Sequence, residues 1–262
     1  EQKPEDAPAI DELKLLNVKF EFGSHSDEFI KDSAFAIISP SIPRDALILK
    51  KLEAQGIEYF SDIEFCAREI AGKKSTGIIL ITGTNGKTTT TLLTSHIFET
   101  NFNAPACGNV GVSPVEYLNS DPDYLVTEAS SYQLNYSKEL KPKIAIFTNL
   151  TPDHLSWHGG LEGYFEAKAA VFKRMDKTCH AILNFDDKTV RKLSCELKTN
   201  VHFFALDKAA LDTVEGNAYI DCGAIFYSGE KIIDVKDVPI VGNHNLQNVM
   251  CSVITAKIAG IK

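Results

Sequence analysis

The stretch Ile78–Thr90 has residue types and spacing that could bind a polyphosphate. Four apolar residues, Ile78–Ile81, lead into T-G-T-N-G-K-T-T at Thr82–Thr89. Glycines let backbone N–H groups approach phosphate oxygens closely, and the N-terminus of a following helix favours negative charge. Lys87 is then expected to bind the β- and γ-phosphates, and the Thr88 hydroxyl to bind Mg²⁺. The predicted nucleotide-binding residues are Gly83, Thr84, Asn85, Gly86, Lys87, Thr88 and Thr89.

The loop departs from the usual phosphate-loop pattern at one position. Ile81 stands where G-x-x-x-x-G-K-[ST] has its first glycine. A Gly-Lys-Thr triplet also occurs by chance, and a strand–turn–helix connection with a solvated Lys87 is the alternative. The apolar strand before the loop, the helical pattern after it and the glycine at Gly83 supply the context that the motif requires, and they favour phosphate binding.

Polar residues also follow two other apolar strands, at Glu128 and at Thr148–His154. Ligands of an open parallel sheet lie beyond the carboxyl ends of its strands, so both groups are expected on the same edge as Lys87. The Glu128 carboxylate either binds Mg²⁺ near the phosphates or stabilises a helix N-terminus. Asp153 and His154 are metal or phosphate ligands, or they belong to a turn with His154 facing solvent. Two such groups beside a phosphate loop favour function.

Three further polar positions each have a structural and a functional interpretation. Asn109, in the glycine-flanked loop Cys107–Gly111, either contacts a ligand or belongs to a turn. Lys168 lies in a predicted helix, and the residues alone indicate an exposed helix lysine. Residues 242–248 open the last predicted helix, where side-chain amides either cap the helix or contact a heterocyclic base.

Strand and helix patterns alternate along the chain, as is typical of an α/β protein with a parallel sheet. Residues 1–12 are rich in Pro, Glu and Asp and are expected to be loop-like. The predicted strands are residues 18–22, 34–38 (a buried strand), 57–60, 78–81, 124–127, 144–147, 181–183 and 201–204, with an antiparallel hairpin region at 217–238. The predicted helices are residues 45–55, 62–71, 88–100, 161–174 and 245–258.

The segment Gly72–Gly77 is the predicted domain boundary. Residues 1–72 are then a partial N-terminal Rossmann-like domain with a parallel sheet. Residues 73–262 are a phosphate-loop ATPase-type α/β central domain.

The composition argues against several classes of protein. The chain has 262 residues, a formal net charge of −8, 44% hydrophobic residues and 24% charged residues, which is ordinary for a globular protein. The negative charge argues against nucleic-acid binding. No apolar run approaches the roughly 20 residues of a membrane helix, and no signal peptide is recognised. The six cysteines form no C-x-x-C pair, which indicates reduced, mostly buried cytosolic thiols rather than a zinc site.

Six segments together resemble the Mur ligase family. They are T-G-T-N-G-K-T-T at 82–89, G-N-V-G-V-S-P at 108–114, E-A-S-S-Y-Q-L at 128–134, N-L-T-P-D-H-L at 149–155, Y-F-E-A-K at 164–168 and G-N-H-N-L-Q-N at 242–248. Within the family, E-A-S-S-Y-Q-L and the upstream S-P-S-I-P at 39–43 resemble the member that adds D-glutamate to UDP-N-acetylmuramoyl-L-alanine. The resemblance implies a cytoplasmic, monomeric enzyme of cell-wall precursor synthesis. ATP would phosphorylate the substrate carboxylate to an acyl phosphate, which the amine of D-glutamate would attack.

The resemblance also implies roles for individual residues. The implied catalytic residues are Lys87, Lys168 and His154. Two Mg²⁺ sites are implied, with ligands Thr88, Glu128, His154 and Lys168, the last in a carbamylated form. Asn245 and Asn248 match adenine-side asparagines. The substrate-binding residues that the resemblance implies are Asn109, Ser130 and Gln133, which match positions at the UDP-sugar site, and Ser39, which matches the turn that approaches the uridine part.

Three departures from the family pattern bear on function. Ser41 stands where the family usually has glycine, the first domain lacks its opening strand–glycine loop–helix, and the chain stops near Lys262, before a third domain. We therefore expect a fragment without the C-terminal domain, with little turnover by itself. The alternatives are another Mur-type or folylpolyglutamate-type ligase, or a nucleotide-binding module without catalysis. Glu128, His154 and Lys168 together weigh against the last, since mere binding does not need two metals.

Overall fold

The structure is a computed structural model that describes residues 8–71 and 75–262. Its helices are α1 (Pro8–Leu15), α2 (Asp27–Ile30), α3 (Leu47–Ala54), α4 (Asp62–Ala71), α5 (Lys87–Phe98), α6 (Ser131–Asn135), α7 (Leu155–His158), α8 (Leu161–Lys173), α9 (Lys188–Leu193) and α10 (Asn243–Ile258). Its strands are β1 (Phe35–Ile37), β2 (Glu58–Phe60), β3 (Gly77–Thr82), β4 (Ala106–Gly108), β5 (Tyr124–Glu128), β6 (Ile144–Phe147), β7 (His180–Asn184), β8 (Asn200–Ala205), β9 (Ala218–Asp221), β10 (Ala224–Tyr227) and β11 (Glu230–Asp234).

Internal contacts divide the chain into two compact units, of which the second is the larger. The first contains the described residues up to Ile37 together with Ile42–Tyr59, and the second contains Ile38–Ser41 and Phe60–Lys262. Strands β1 and β2 form a separate two-stranded sheet. The segment predicted as the domain boundary, Gly72–Gly77, lies partly outside the described residues, and the boundary itself stays a prediction.

Three predictions for the first unit are wrong. Residues 8–12 belong to helix α1 rather than to a loop, and residues 1–7 lie outside the described residues. Residues 18–22 form no strand, because the segment turns back: the backbone N–H of Ser26 donates to the Glu21 carboxylate at 2.6 Å. The alternation of apolar residues there had no partner strand to pair with. Strand β1 exists but is not buried, since Phe35 and Ile37 are exposed.

The second unit is built on a nine-stranded sheet with the order β11-β10-β9-β8-β7-β6-β3-β5-β4. The strands from β4 to β9 pair in parallel, whereas β10 pairs antiparallel with both β9 and β11. This arrangement confirms the predicted α/β fold class with a parallel sheet, and also the antiparallel hairpin region. Cys107 and Gly108, predicted as part of a loop, instead belong to the edge strand β4, which pairs with β5.

The central strand β3 is buried along its whole length because helices cover both faces of the sheet. Ile79 and Ile81 pack in one core with side chains of α5 and α10, including Phe98 and Met250. Ile78 and Leu80 pack in a second core on the opposite face, which contains residues of α4, α6, α8 and α9. The alternation of side chains along β3 therefore fixes the loop at its carboxyl end between two packed layers.

Among the helices of residues 8–71 and 75–262, none has the length and apolar character required to cross a lipid bilayer. Four of the six cysteines, Cys66, Cys107, Cys179 and Cys251, are buried, which agrees with the prediction of mostly buried thiols.

Candidate functional site

The loop between β3 and α5 has the backbone conformation that its glycines permit. Gly83 has a φ of +145° and Gly86 a φ of +83°, both in the region that favours glycine. A Cβ atom on Gly83 would collide with the Thr148 hydroxyl, and one on Gly86 would collide with the Asn248 side chain. Helix α5 begins at Lys87, directly after the second glycine. Its N-terminal N–H groups therefore open onto the loop, as anion binding at a helix N-terminus requires.

The segment after β6 holds this loop in place. The Thr148 hydroxyl donates to the Asn85 carbonyl at 2.7 Å, and the Asn85 backbone N–H donates to the Asn149 side-chain oxygen at 2.9 Å. The Thr84 N–H donates to the Asn149 carbonyl at 2.9 Å. The segment that follows β6 was predicted to lie at the same edge of the sheet as the loop after β3, and these hydrogen bonds join the two directly.

Glu128 lies at the end of β5, and its carboxylate faces the start of α5. The side chain is 1% exposed. Its Oε2 accepts a hydrogen bond from the Thr88 hydroxyl at 2.7 Å, and its Oε1 accepts one from the Asn109 amide at 2.9 Å. Lys87 donates from Nζ to the Thr84 carbonyl at 2.9 Å. The structure therefore joins three predicted site residues, Thr88, Glu128 and Asn109, through one carboxylate.

Lys168 is buried beneath the loop, so its interpretation as an exposed helix lysine is wrong. The residue is 1% exposed, and its Nζ donates to the Gly83 carbonyl at 2.8 Å and to the Thr82 hydroxyl at 3.4 Å. The ammonium also lies 4.7 Å from the centre of the Tyr164 ring. Burial, with the nearby positive charge of Lys87, lowers the pKa of Lys168 to about 7. A pKa lowered in this way makes the neutral amine form of Lys168 accessible near neutral pH.

His154 lies near this group through shared neighbours rather than through direct contacts. Its side chain is 46% exposed, and its Nε2 is 3.4 Å from the Asp153 carboxylate. The ring centre of His154 is 6.4 Å from that of Tyr164, the ring that also contacts Lys168. The Tyr164 hydroxyl is 3.3 Å from the Thr84 hydroxyl of the loop. His154 therefore lies on the open side of the site, with one face toward solvent.

The two asparagines of α10 occupy different environments. Asn248 is 4% exposed, receives a hydrogen bond from the Thr90 hydroxyl at 3.2 Å and packs against Gly86. Its amide donates to the Asn245 side-chain oxygen at 3.2 Å, and Asn245 donates to the Val241 carbonyl at 2.9 Å. Asn248 therefore braces the phosphate loop, while Asn245 lies one turn nearer the start of the helix.

The predicted substrate residues Ser130 and Gln133 form the capping box of helix α6. The Ser130 hydroxyl accepts from the Gln133 backbone N–H at 3.2 Å, and the Gln133 side-chain oxygen accepts from the Ser130 N–H at 3.0 Å. Ser39 is exposed, and its hydroxyl lies 3.1 Å from that of Ser41. Within the described parts of the chain, no hydrogen bond joins Ser39 to residues 82–89.

The structure adds residues that the sequence reasoning did not single out. Tyr164 contacts both Lys168 and the loop, and its position one helical turn before Lys168 was a readable signal. Asp187 accepts the Leu150 N–H at 2.7 Å, and the Asn184 amide donates to the Thr148 carbonyl at 2.8 Å. Asn184 ends the neighbouring strand β7 and Asp187 caps helix α9, and both support the segment after β6. No spacing in the sequence indicated these contacts.

The site combines a glycine-bearing loop after a buried parallel strand with the N-terminus of a helix. A buried carboxylate and a buried lysine flank this loop, and the combination defines a class of protein. The class is that of nucleotide-binding α/β domains with a phosphate loop.

Comparison with known proteins narrows the class. Residues 81–256 match the family model described as the Mur ligase middle domain. The chain therefore belongs to the Mur ligase family, which confirms the resemblance that its motifs indicated.

Two relatives show the extent of the similarity. The chain is 36% identical over 260 residues to the UDP-N-acetylmuramoylalanine–D-glutamate ligase of Thermoanaerobacter pseudethanolicus, covering 96% of this chain and 55% of that protein. It is 40% identical over 232 residues to the protein of the same name from Microcystis aeruginosa, covering 86% of this chain and 50% of that protein. The chain thus spans about half the length of these relatives.

Solved structures agree on the fold. The UDP-N-acetylmuramate:L-alanyl-gamma-D-glutamyl-meso-diaminopimelate ligase from Neisseria meningitides superimposes with a TM-score of 0.63 at 17% identity, over 99% of this chain and 84% of that one. A UDP-N-acetylmuramoyl-L-alanyl-D-glutamate–2,6-diaminopimelate ligase superimposes with a TM-score of 0.60 at 22% identity, over 79% of this chain and 50% of that one.

Proposed function

We propose that this chain is part of a cytoplasmic, ATP-dependent ligase that adds D-glutamate to UDP-N-acetylmuramoyl-L-alanine in peptidoglycan precursor synthesis. Family membership and the names of the relatives support a ligase of this kind. The observation that carries the proposal is the convergence of Glu128 and Lys168 on one phosphate loop. In this view residues 1–72 contribute to UDP-substrate binding and residues 73–262 bind ATP.

The chemistry explains why a phosphate loop serves an amide-forming enzyme. A carboxylate is a poor electrophile, and phosphorylation to an acyl phosphate supplies a leaving group. The amine of D-glutamate then attacks the carbonyl carbon, the C–O bond to phosphate breaks, and the amine loses a proton. The loop N–H groups and the Lys87 ammonium bind and neutralise the phosphates of ATP, which is the main contribution a protein makes to phosphoryl transfer. Lys87 exchanges its bond to the Thr84 carbonyl for one to phosphate.

The first predicted Mg²⁺ site fits the donor set at Glu128. A carboxylate and the hydroxyl of Thr88 are hard oxygen donors of the type that Mg²⁺ prefers, and they lie 2.7 Å apart beside the loop. When bound there, Mg²⁺ supplies neutralisation of the charge that develops on the transferred phosphate. Among residues 8–71 and 75–262, no cluster of three or more His, Cys, Asp or Glu side chains is arranged to hold a metal ion. In this proposal Glu128 and Thr88 are the residues that would hold the ion.

The second predicted site fits only if Lys168 is carbamylated. An ammonium group cannot ligate a cation, whereas the carbamate formed from a neutral amine and CO₂ presents two oxygens. The neutral nitrogen forms the new N–C bond to CO₂ and releases one proton. A pKa of about 7 for Lys168 keeps enough neutral amine for this reaction at physiological pH. His154 lies on the open side of the same group, where it can complete the ligand set.

The residues predicted to bind the UDP-sugar and the adenine differ in how accessible they are. Asn109 is exposed and Ser130 is partly exposed, whereas Gln133 is 4% exposed and its side-chain amide is bonded within the protein. Asn245 is the better placed of the two asparagines for adenine, because Asn248 is bonded to Thr90 and packed on Gly86. Ser39 remains a prediction for the uridine side.

Binding titrations with the purified chain test the proposal. Thermal-shift curves recorded with Mg²⁺ and a non-hydrolysable ATP analogue should show further stabilisation by UDP-N-acetylmuramoyl-L-alanine, and less by its longer peptide homologues. Preference for a longer homologue would indicate another Mur-type ligase. Stabilisation by nucleotide alone would indicate a binding module without the ligase site. With ¹³C-labelled bicarbonate, a carbamate resonance should appear in the chain and be absent from Lys168→Arg.

A further inference from the structure

The carboxylate of Asp62 bridges two segments that follow neighbouring strands. Asp62 is the first residue of α4. Its Oδ1 accepts a hydrogen bond from the Gln133 side-chain amide at 3.1 Å, and its Oδ2 accepts one from the Ser113 hydroxyl at 3.0 Å. Ser113 follows edge strand β4, and Gln133 follows β5. One side chain from a third element therefore sets the separation of these two segments.

Both segments carry residues of the proposed UDP-sugar side of the site. Asn109 lies four residues before Ser113, and Ser130 lies three residues before Gln133. Asn109 is itself bonded to the Glu128 carboxylate at 2.9 Å. The two segments are thus connected at two points, once beside the phosphate loop and once at Asp62.

Asp62 and the Ser130 backbone N–H together fix the orientation of the Gln133 side-chain amide. Because the carboxylate can only accept, it selects the NH₂ group of Gln133 and leaves the amide oxygen facing Ser130. That oxygen accepts both the Ser130 backbone N–H and the Ser130 hydroxyl, each at 3.0 Å. A flipped amide would place NH₂ against these donors. The Asp62 carboxylate therefore supports the same orientation of the Gln133 amide that the capping box with Ser130 requires.

Asp62 is held rigidly enough to perform this role. The preceding residue, Ser61, donates its backbone N–H to the Tyr136 carbonyl at 3.0 Å, and its hydroxyl lies 2.8 Å from that of Ser137. The Ser61 hydroxyl also accepts the Glu64 N–H at 3.2 Å and so caps α4. A carboxylate that only stabilised the helix N-terminus would not need two side-chain donors from separate segments.

We propose that Asp62 is a positioning residue that orients the Asn109–Ser113 and Ser130–Gln133 segments for the UDP-sugar substrate. The inference rests on the proposed function for the identity of that substrate. Asp62→Ala should weaken binding of UDP-N-acetylmuramoyl-L-alanine about tenfold, since two hydrogen bonds are lost. Affinity for the ATP analogue should stay within about twofold of that of the unaltered chain, because the Asp62 side chain bonds to Ser113 and Gln133 rather than to residues 83–87.

The conservative variant separates positioning from charge. In Asp62→Asn, the side-chain oxygen can still accept the Gln133 NH₂, and the new NH₂ can donate to the Ser113 hydroxyl, which both donates and accepts. Affinity for the UDP-sugar should therefore return to within about threefold of the unaltered chain. Equal losses in Asp62→Ala and Asp62→Asn would overturn the inference.

Isothermal titration of the whole chain, with Mg²⁺, the ATP analogue and UDP-N-acetylmuramoyl-L-alanine as separate ligands, provides the measurement. Glu116→Gln removes an exposed carboxylate three residues after Ser113 and should leave both affinities unchanged. Ile182→Val destabilises the buried core of the sheet without touching either segment, and it should not change the ratio of the two affinities.

Two further results keep the inference testable. If Asp62→Ala does not fold, Ser113→Ala removes one of the two bonds and should weaken UDP-sugar binding about threefold, whereas unchanged binding would overturn the inference. If the unaltered chain binds the ATP analogue but not the UDP-sugar, the proposed function fails and the inference fails with it. If the unaltered chain binds both and Asp62→Ala binds both equally well, only the inference fails.

Discussion

Burial of Lys168 beneath the phosphate loop predicts a specific dependence of stability on pH. The pKa falls from 10.5, its ordinary value and that of the unfolded chain, to about 7 in the folded protein, first because of burial and then because of the charge of Lys87. Between pH 7 and 10.5 the unfolded chain binds this proton and the folded chain does not. Stability therefore rises with pH in this window, and the full cost of the charged form applies below about pH 7.

The magnitude follows from the two pKa values. A difference of about 3.5 pH units corresponds to roughly 5 kcal/mol of destabilisation below pH 7, since each unit is about 1.36 kcal/mol. Lys168→Met has no such cost, although it leaves the Gly83 carbonyl without its donor, at about 1–3 kcal/mol. The change of stability with pH does not depend on the lost hydrogen bond. Between pH 6.5 and pH 9.5, the free energy of unfolding of the parent should rise by about 3 kcal/mol relative to that of the variant.

Urea unfolding of both proteins, in CO₂-free buffer with a chelator, gives the two stability profiles. Lys177→Met, a change at an exposed lysine, serves as the matched control and should run parallel to the parent. Parallel profiles for the parent and Lys168→Met would refute the reasoning, because they would mean that Lys168 keeps its ordinary pKa when folded. Such a lysine would stay charged at neutral pH and could not react readily with CO₂.

Three other changes test the site and the sheet. Glu128→Gln should weaken Mg²⁺-dependent binding of the ATP analogue about tenfold or more, since a neutral amide cannot replace the carboxylate, and unchanged titration curves would contradict the predicted Mg²⁺ site. Gly83→Ala should lower the free energy of unfolding by about 1–3 kcal/mol and abolish nucleotide binding, and a melting temperature equal to the parent's would contradict the strained loop. His180 donates from Nδ1 to Nε2 of His202, and Nδ1 of His202 donates to the Gly216 carbonyl. Burial lowers the pKa of both rings in the folded protein, so the free energy of unfolding should fall as the pH drops below about 6.5. Urea unfolding of His202→Gln should show a smaller fall over the same pH range.

The sequence predicted the second unit better than the first. Long apolar runs such as those of β3 and β6 are buried on both faces, so their pattern alone identified them as parallel strands. The alternating segment 18–22 carried a strand-like pattern but had no partner to complete a ladder of hydrogen bonds. Edge strand β4 was missed because three residues with a terminal glycine resemble a turn.

Within the candidate site, too, some residues could be predicted from local motifs and others could not. Local motifs predicted Lys87, Thr88 and Glu128 as site residues, because a phosphate-loop motif and a strand end are local features of the chain. Lys168 was predicted as a site residue only through the family resemblance, since its burial depends on the packing of α8 against the loop. Nothing in the local sequence distinguishes a lysine that faces solvent from one that faces the Gly83 carbonyl.

By itself, the sequence predicted most of the strands and the longer helices of the second unit, the phosphate-loop motif and the family, since each rests on residues close together in the chain. The tertiary structure alone decided that Glu128 joins Thr88 to Asn109, that Lys168 is buried with a lowered pKa, and that Asp62 connects two distant segments. The physical reason is that hydrogen-bond geometry and desolvation depend on which surfaces meet in the packed protein, and residue spacing carries no information about that meeting.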